Sequence, residues 1–117
     1  MREILFRAKQ TDNGEWVEGS LIKSVWMDSY GYITKSQTTD LVTVFLSTVG
    51  QYTGLTDKNG KKIFEGDIIK YSEPEILTGV YKVVYAFGFF SPFDCISTRH
   101  CEVIGNIHDN PELLEGA

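Results

Sequence analysis

Near the C-terminus, the stretch "CISTRHCEVIGNIH" gathers Cys95, His100, Cys101 and His108. Thiols and imidazoles at this density have the composition of a zinc site. The spacing argues otherwise, because Cys95 and Cys101 lie further apart than the paired cysteines of a zinc knuckle. His100 and Cys101 are neighbours, so on a strand their side chains would point to opposite faces. A Cys–His nucleophilic pair also lacks a third group to orient the imidazole. Neither a metal nor any other cofactor is expected.

A second stretch, "YTGLTDKNGKKIFEGDIIKY" from Tyr52 to Tyr71, carries three carboxylates, Asp57, Glu65 and Asp67. Paired carboxylates can do acid–base work, but turn chemistry accounts for these. In "DKNG", Asn59 and Gly60 both accept left-handed backbone angles. In "EGD", Gly66 suits a positive φ, and the Asp67 side chain can accept a backbone N–H. The residues Asn59, Gly60, Gly66 and Asp67 are therefore read as fold-defining turns. An EF-hand calcium loop is excluded, since no flanking helices are apparent. No phosphate loop, dinucleotide fingerprint or nucleophile elbow occurs, so no catalytic residue is assigned and an enzyme is not expected.

Two groups remain as a candidate interaction surface. Lys58, Lys61 and Lys62 on the central turn could contact phosphates. Phe87, Phe89 and Phe90, with Phe93 beyond them, could stack on bases or anchor a protein partner. Stacking platforms are interleaved with Arg and Lys, and only Lys82 and Arg99 lie near. Packing in a core or a subunit interface is the plainer reading of these phenylalanines.

The elements that must position these residues read as mainly β. Ile4, Phe6 and Ala8 alternate with Leu5, Arg7 and Lys9, the period of a strand. "TDNG" then offers a hairpin turn before Trp16 and Val17, and Gly19 is read as a bulge. A second hairpin is expected at "VWMDSYGYI", with Asp28, Ser29 and Gly31 between Val25–Met27 and Tyr32–Ile33. "TKSQTTD", residues 34–40, reads as a loop or an exposed strand edge. "LVTVFLSTVGQYTGL" is read as strand, with one helical turn around Leu41–Leu46 as the alternative. The central stretch gives strand, turn, strand, turn, strand. "VYKVVYAFGFF" and "HCEVIGNI" follow as strands, and "DNPELLEGA" starts a short helix, with Asn110 as cap and Pro111 in the first turn.

Length and composition fit this plan. The chain has 117 residues, 42% hydrophobic and 23% charged, enough for an ordinary core without disulfide staples. Aromatic residues make up 13%, and eleven glycines with three prolines favour turns over long helices. The net charge of −5 disfavours nucleic acid as a partner. "MREILFRAKQ" lacks the apolar core of an export signal, and no apolar stretch approaches a membrane span. Two cysteines with no export signal suggest reduced thiols. A cytoplasmic protein with no membrane partner is expected.

The start "REILFRAK", the centre "VGQYTGLTDKNGKKIFEGDIIKY" and the end "CEVIGNIHDNPELL" together resemble the YopX-like family of phage and prophage proteins. The likeness spans nearly the whole chain and is weakest over residues 20–40. It implies a phage or prophage protein of a bacterial host cell. It also implies a C-terminal SH3-like small barrel, residues 46–117, after a smaller N-terminal β-hairpin portion, residues 1–45. It brings no catalytic residues with it. The expected function is a non-enzymatic module that binds a host or phage protein or assembles with itself as a homo-oligomer. A small-barrel nucleic-acid-binding protein is the alternative.

Overall fold

A computed structural model describes residues 5–23, 30–35, 41–71, 78–86, 89–92 and 98–115. The chain divides into two compact units, Met1–Tyr52 and Thr53–Ala117. The sequence reading puts its boundary after residue 45, whereas this division falls inside a strand that runs from one unit into the other.

In the first unit, β1 (Phe6–Lys9), β2 (Trp16–Lys23), β3 (Tyr30–Lys35) and β4 (Leu41–Phe45) form an antiparallel meander in the order β4-β3-β2-β1. The first turn is the expected one. Gln10 N donates to Glu15 O at 2.9 Å, Gly14 N donates to Gln10 O at 3.0 Å, and Gly14 has φ 71°. Val25–Met27 and the turn residues Asp28 and Ser29 lie outside the described residues, but β2 and β3 pair antiparallel on either side. Leu41–Phe45 is strand, and one 3-10 turn, Leu46–Thr48, follows it. Its Thr48 hydroxyl accepts the Lys9 N–H at 2.8 Å. Then β5 (Gly50–Thr56) begins by pairing with β1.

This meander curls on itself, because Gln10 bridges to Val44 and Thr11 N donates to Thr43 O at 3.0 Å. Ala8, Val17, Ile33 and Val44 fill the inside, with Phe6, Leu21, Val42 and Val49 packed around them. Alternation along each strand puts those residues on one face. Gly19 is not a bulge: it pairs one to one with Phe6 at the end of the β1 ladder and with Lys35 at the start of the β3 ladder. A Cβ there would overlap the carbonyl of Thr34, so the glycine permits a close backbone approach.

In the second unit, β5 continues beside β6 (Lys62–Phe64). A three-stranded sheet is ordered β11-β7-β8 from β7 (Asp67–Tyr71), β8 (Gly79–Lys82) and β11 (Cys101–Asn106), and β9 (Val84–Ala86) pairs with β10 (Phe89–Ser91). The protein is mainly β, with α1 (Glu112–Glu115) as the one helix among the described residues. The expected SH3-like barrel is not closed there. Among the described residues, β9 and β10 pair only with each other, apart from the β11-β7-β8 sheet and from the sheet that holds β6. Ile63, Ile69, Tyr71, Val83 and Cys101 form the core, flanked by Tyr81 and Val103. Asn110 does not cap α1 with its side chain. Its Oδ1 accepts the Asn106 N–H at 3.3 Å, while its carbonyl receives Leu113 N at 3.1 Å. No helix of the described residues is long and apolar enough to cross a membrane.

Candidate functional site

The central turn is organised by one carboxylate. Asp57 ends β5 with only 6% of its surface exposed. Its Oδ1 accepts the N–H groups of Asn59 and Lys61, each at 2.9 Å, and its Oδ2 accepts that of Val103 on β11, also at 2.9 Å. Burial works against its charge. The Val103, Lys61 and Asn59 N–H groups outweigh that, helped by the Lys61 ammonium, and hold the carboxyl below its ordinary 3.8. Two backbone bonds close the turn, Asp57 N to Lys61 O at 2.8 Å and Gly60 N to Asp57 O at 3.0 Å, with Gly60 at φ 83°. Lys58 N donates to Cys101 O at 3.0 Å, a second tie to β11. Lys58, Asn59, Gly60, Lys61 and Lys62 are exposed around this clamp.

The second turn uses its carboxylate in the same way. Asp67, 1% exposed, accepts the Phe64 N–H at 2.8 Å through Oδ2. Gly66 has φ 92°. Its N–H donates to Val83 O at 2.8 Å, and its carbonyl receives Ile107 N at 2.9 Å. This single glycine therefore joins its turn to the strand ends on both sides. Acceptor capacity in Asp57 and Asp67 is engaged by backbone donors, which suits turn closure and leaves neither poised as a general base.

The soft-ligand residues that are described do not come together. Among the described residues, no three His, Cys, Asp or Glu side chains converge as a metal site requires. Cys101 starts β11 fully buried, His100 ends the 3-10 turn Thr98–His100 just before it, and Cys95 lies outside the described residues. The His108 ring lies beside Gly66, with its Nε2 3.9 Å from where a Cβ on that glycine would sit. Burial first, then the Asp57 charge, pushes the Cys101 thiol up to about 11. At neutral pH it stays protonated, the form that neither attacks nor binds metal. Tyr71 is buried beside it, and burial, with Cys101 and Tyr81 adding to it, raises the phenol. The Tyr71 hydroxyl meets no group at good hydrogen-bond geometry among the described residues, and the Cys101 thiol is the weak polar neighbour beside it.

The phenylalanine group is not a surface where it is described. Phe90 is 8% exposed and packs edge-on against Tyr85, with ring centroids 4.8 Å apart. Phe87 and the Phe89 side chain lie outside the described residues.

One surface was missed by the sequence reading. Gly31, Ile33 and Val44 face inward on β3 and β4, so the alternate residues face away. That outward face carries Ser20, Ile22, Tyr30, Tyr32, Thr34, Leu41, Thr43 and Phe45, with Glu18 on the same face of β2 beyond Ser20. Its rows are Ser20–Thr34–Leu41 and Ile22–Tyr32–Thr43, with Tyr30 opposite Phe45 at a ring distance of 5.8 Å. Leu41 is 54% exposed, Ile22 48% and Tyr30 38%. Further along β2, Trp16 holds the Arg7 guanidinium at 4.7 Å and the Lys9 ammonium at 5.4 Å from its ring centroid. The available signal was apolar residues in both phases of strands 30–35 and 41–45, where a half-buried strand would show apolar residues in one.

Comparison with known proteins bears on the whole chain. A family model described as "YopX protein" matches residues 5–115. A solved structure, protein EF1440 from Enterococcus faecalis, is similar at 28% identity and a TM-score of 0.63, covering 97% of this chain and 99% of that one. No curated protein matches the chain.

Proposed function

Since the chain belongs to the YopX family, we propose that it is a phage or prophage protein that works in the host cytoplasm as a non-enzymatic interaction module, binding a host or phage protein or a second copy of itself. Likeness to a protein of the bacterium Enterococcus faecalis supports a bacterial setting. The observation that carries the interaction role is the cluster of exposed apolar side chains, Ile22, Tyr30 and Leu41, on the outward face of β2, β3 and β4. Aliphatic and aromatic side chains exposed together on one sheet face are the usual anchors of protein interfaces. The engaged carboxylates and the protonated thiol are consistent with a module that does no chemistry.

Substitution on that face tests the reading. Ile22 and Leu41 are about half exposed, so Ile22→Lys and Leu41→Lys should leave the fold intact while removing association. Light scattering gives self-assembly, and pull-down from host lysate with both variants as controls gives foreign partners. A wild-type chain that stays monomeric and captures nothing the variants do not capture would sink the proposal.

Nucleic-acid binding is the second reading, favoured by the exposure of Lys58, Lys61 and Lys62 on a turn that Asp57 holds in place. Fluorescence titration with single-stranded DNA at low and moderate salt decides it. Binding through phosphates must weaken steeply with salt, and binding that is absent or indifferent to salt removes this reading.

A further inference from the structure

The sequence contains two Asn–Gly pairs, Asn13–Gly14 and Asn59–Gly60, and both sit in exposed turns. An asparagine before glycine can lose ammonia without an enzyme, because no side chain on the next residue shields its backbone nitrogen. The Gly60 nitrogen gives up its proton and attacks Cγ of Asn59. The carboxamide C–N bond breaks and ammonia leaves, closing a succinimide ring. Water then opens either carbonyl, giving aspartate or isoaspartate at position 59, with no change of oxidation state.

The two pairs share the same restraint. Gly60 N donates to Asp57 O and Gly14 N to Gln10 O, each at 3.0 Å, so each nitrogen must leave a turn hydrogen bond before it can attack. They differ in two other respects. The Asn13 carboxamide is held, since its Oδ1 accepts Glu15 N at 2.9 Å and its Nδ2 reaches Glu15 Oε2 at 3.5 Å. The Asn59 carboxamide has no hydrogen bond to any described residue, whereas the space at the two glycines is alike, with nothing within 4 Å of a Cβ at Gly14 or at Gly60. Attacking nitrogen and tetrahedral intermediate are both anionic. Lys58, Lys61 and Lys62 surround Asn59, whereas Asp12 and Glu15 flank Asn13. Cations favour such an intermediate and carboxylates oppose it. Asp57 is the acid in the lysine-rich turn, and its oxygens are turned onto backbone N–H groups.

We infer that Asn59 is a site of spontaneous, water-consuming deamidation that converts ahead of Asn13. Isoaspartate at 59 would insert a methylene into the main chain between the two N–H groups that share Asp57 Oδ1. It would also place a negative charge among the lysines. The modification thus changes the lysine-rich turn that Asp57 holds.

Incubation of the full chain at mildly alkaline pH, followed by peptide mapping, measures replacement of the carboxamide by a carboxyl at each site. Asn59 should convert ~5-fold faster than Asn13 or more, equivalent to ~1 kcal/mol in barrier. Equal rates, faster conversion at Asn13, or no conversion at either site while the urea-unfolded chain converts at both would each overturn the inference. The double variant Lys58→Glu, Lys61→Glu keeps both backbone N–H groups. It should slow Asn59 and leave Asn13 unchanged, and an unchanged rate at Asn59 refutes the charge argument.

Discussion

Asp57→Asn is the sharpest perturbation of the central turn, because it keeps the shape of the side chain and removes one acceptor. With its remaining oxygen toward Asn59 and Lys61, the new amide group would face the Val103 N–H, donor against donor. Loss of charge assistance in two bonds costs about 0.5–1 kcal/mol each, and an unpaired buried donor costs about 1–3 kcal/mol. Together these come to about 2–5 kcal/mol. Both tryptophans, Trp16 and Trp26, belong to the first unit, so their fluorescence would report on the wrong part of the chain. Amide exchange at Asn59, Lys61 and Val103 reads the second unit directly, and protection there should fall ~30-fold or more. The pH dependence supplies an independent check. Asp57 has its pKa lowered in the folded state, so its contribution is present above the ordinary carboxylate value and is lost as pH falls through the lowered one. Protection at Val103 in the wild type should decline in acid, and the Asn variant should lack that component. A fall in protection under ~3-fold, or identical acid profiles, would refute the view that this carboxylate holds the turn to β11.

Other substitutions test separate parts of the same framework. Gly66→Val should destabilise the second unit by about 1 kcal/mol or more through its positive φ; the nearest atoms to a Cβ there are at ordinary contact distance, 3.7 Å from Ile107, so a variant that melts like the parent defeats the strain argument. Gly19→Ala should cost ~3 kcal/mol or more by driving β2 and β3 apart, and tryptophan fluorescence during urea unfolding would detect it. Tyr71→Phe removes a buried hydroxyl whose polar neighbour among the described residues is the weakly accepting Cys101 thiol, so its melting temperature should be nearly unchanged or higher; a loss above about 1 kcal/mol would mean that the hydroxyl is firmly engaged.

Local chemistry made much of the fold legible. The period of two in residues 4–9, the "TDNG" turn and the "DKNG" and "EGD" turns all follow from rules that operate within a few residues. What lay beyond the sequence is long-range. Nothing near Asp57 announces Val103, 46 positions away, because an acceptor aimed across a sheet looks the same in sequence as one serving its own turn. The return of Gln10 onto Val44 is equally silent. Curling depends on accumulated twist and on the close approach at Gly19, where the absence of a side chain can be read equally as a bulge. Phe90 shows the converse limit. Its strand is visible in sequence, but which face is covered depends on Tyr85 and the packing around it.

The two aspartates explain why a motif so rich in charge is a poor place to look for a reaction. A general base must be able to take up a proton near the working pH without dismantling its surroundings. Protonating Asp57 would weaken bonds to three backbone N–H groups at once, two within the turn and one to β11, and the direction of its pKa shift reflects that opposition. Asp67 is placed similarly on Phe64 N at the start of β7. Changing either should therefore register first as altered stability and altered amide protection, and as altered partner binding only through the geometry of the turn. The apolar cluster on the outward face of β2, β3 and β4 has the opposite character. Ile22, Tyr30 and Leu41 leave apolar surface in water that a binding surface would cover. Their replacement by lysine should spare the fold while changing association, and that contrast between the two sets of variants separates architecture from recognition within one chain.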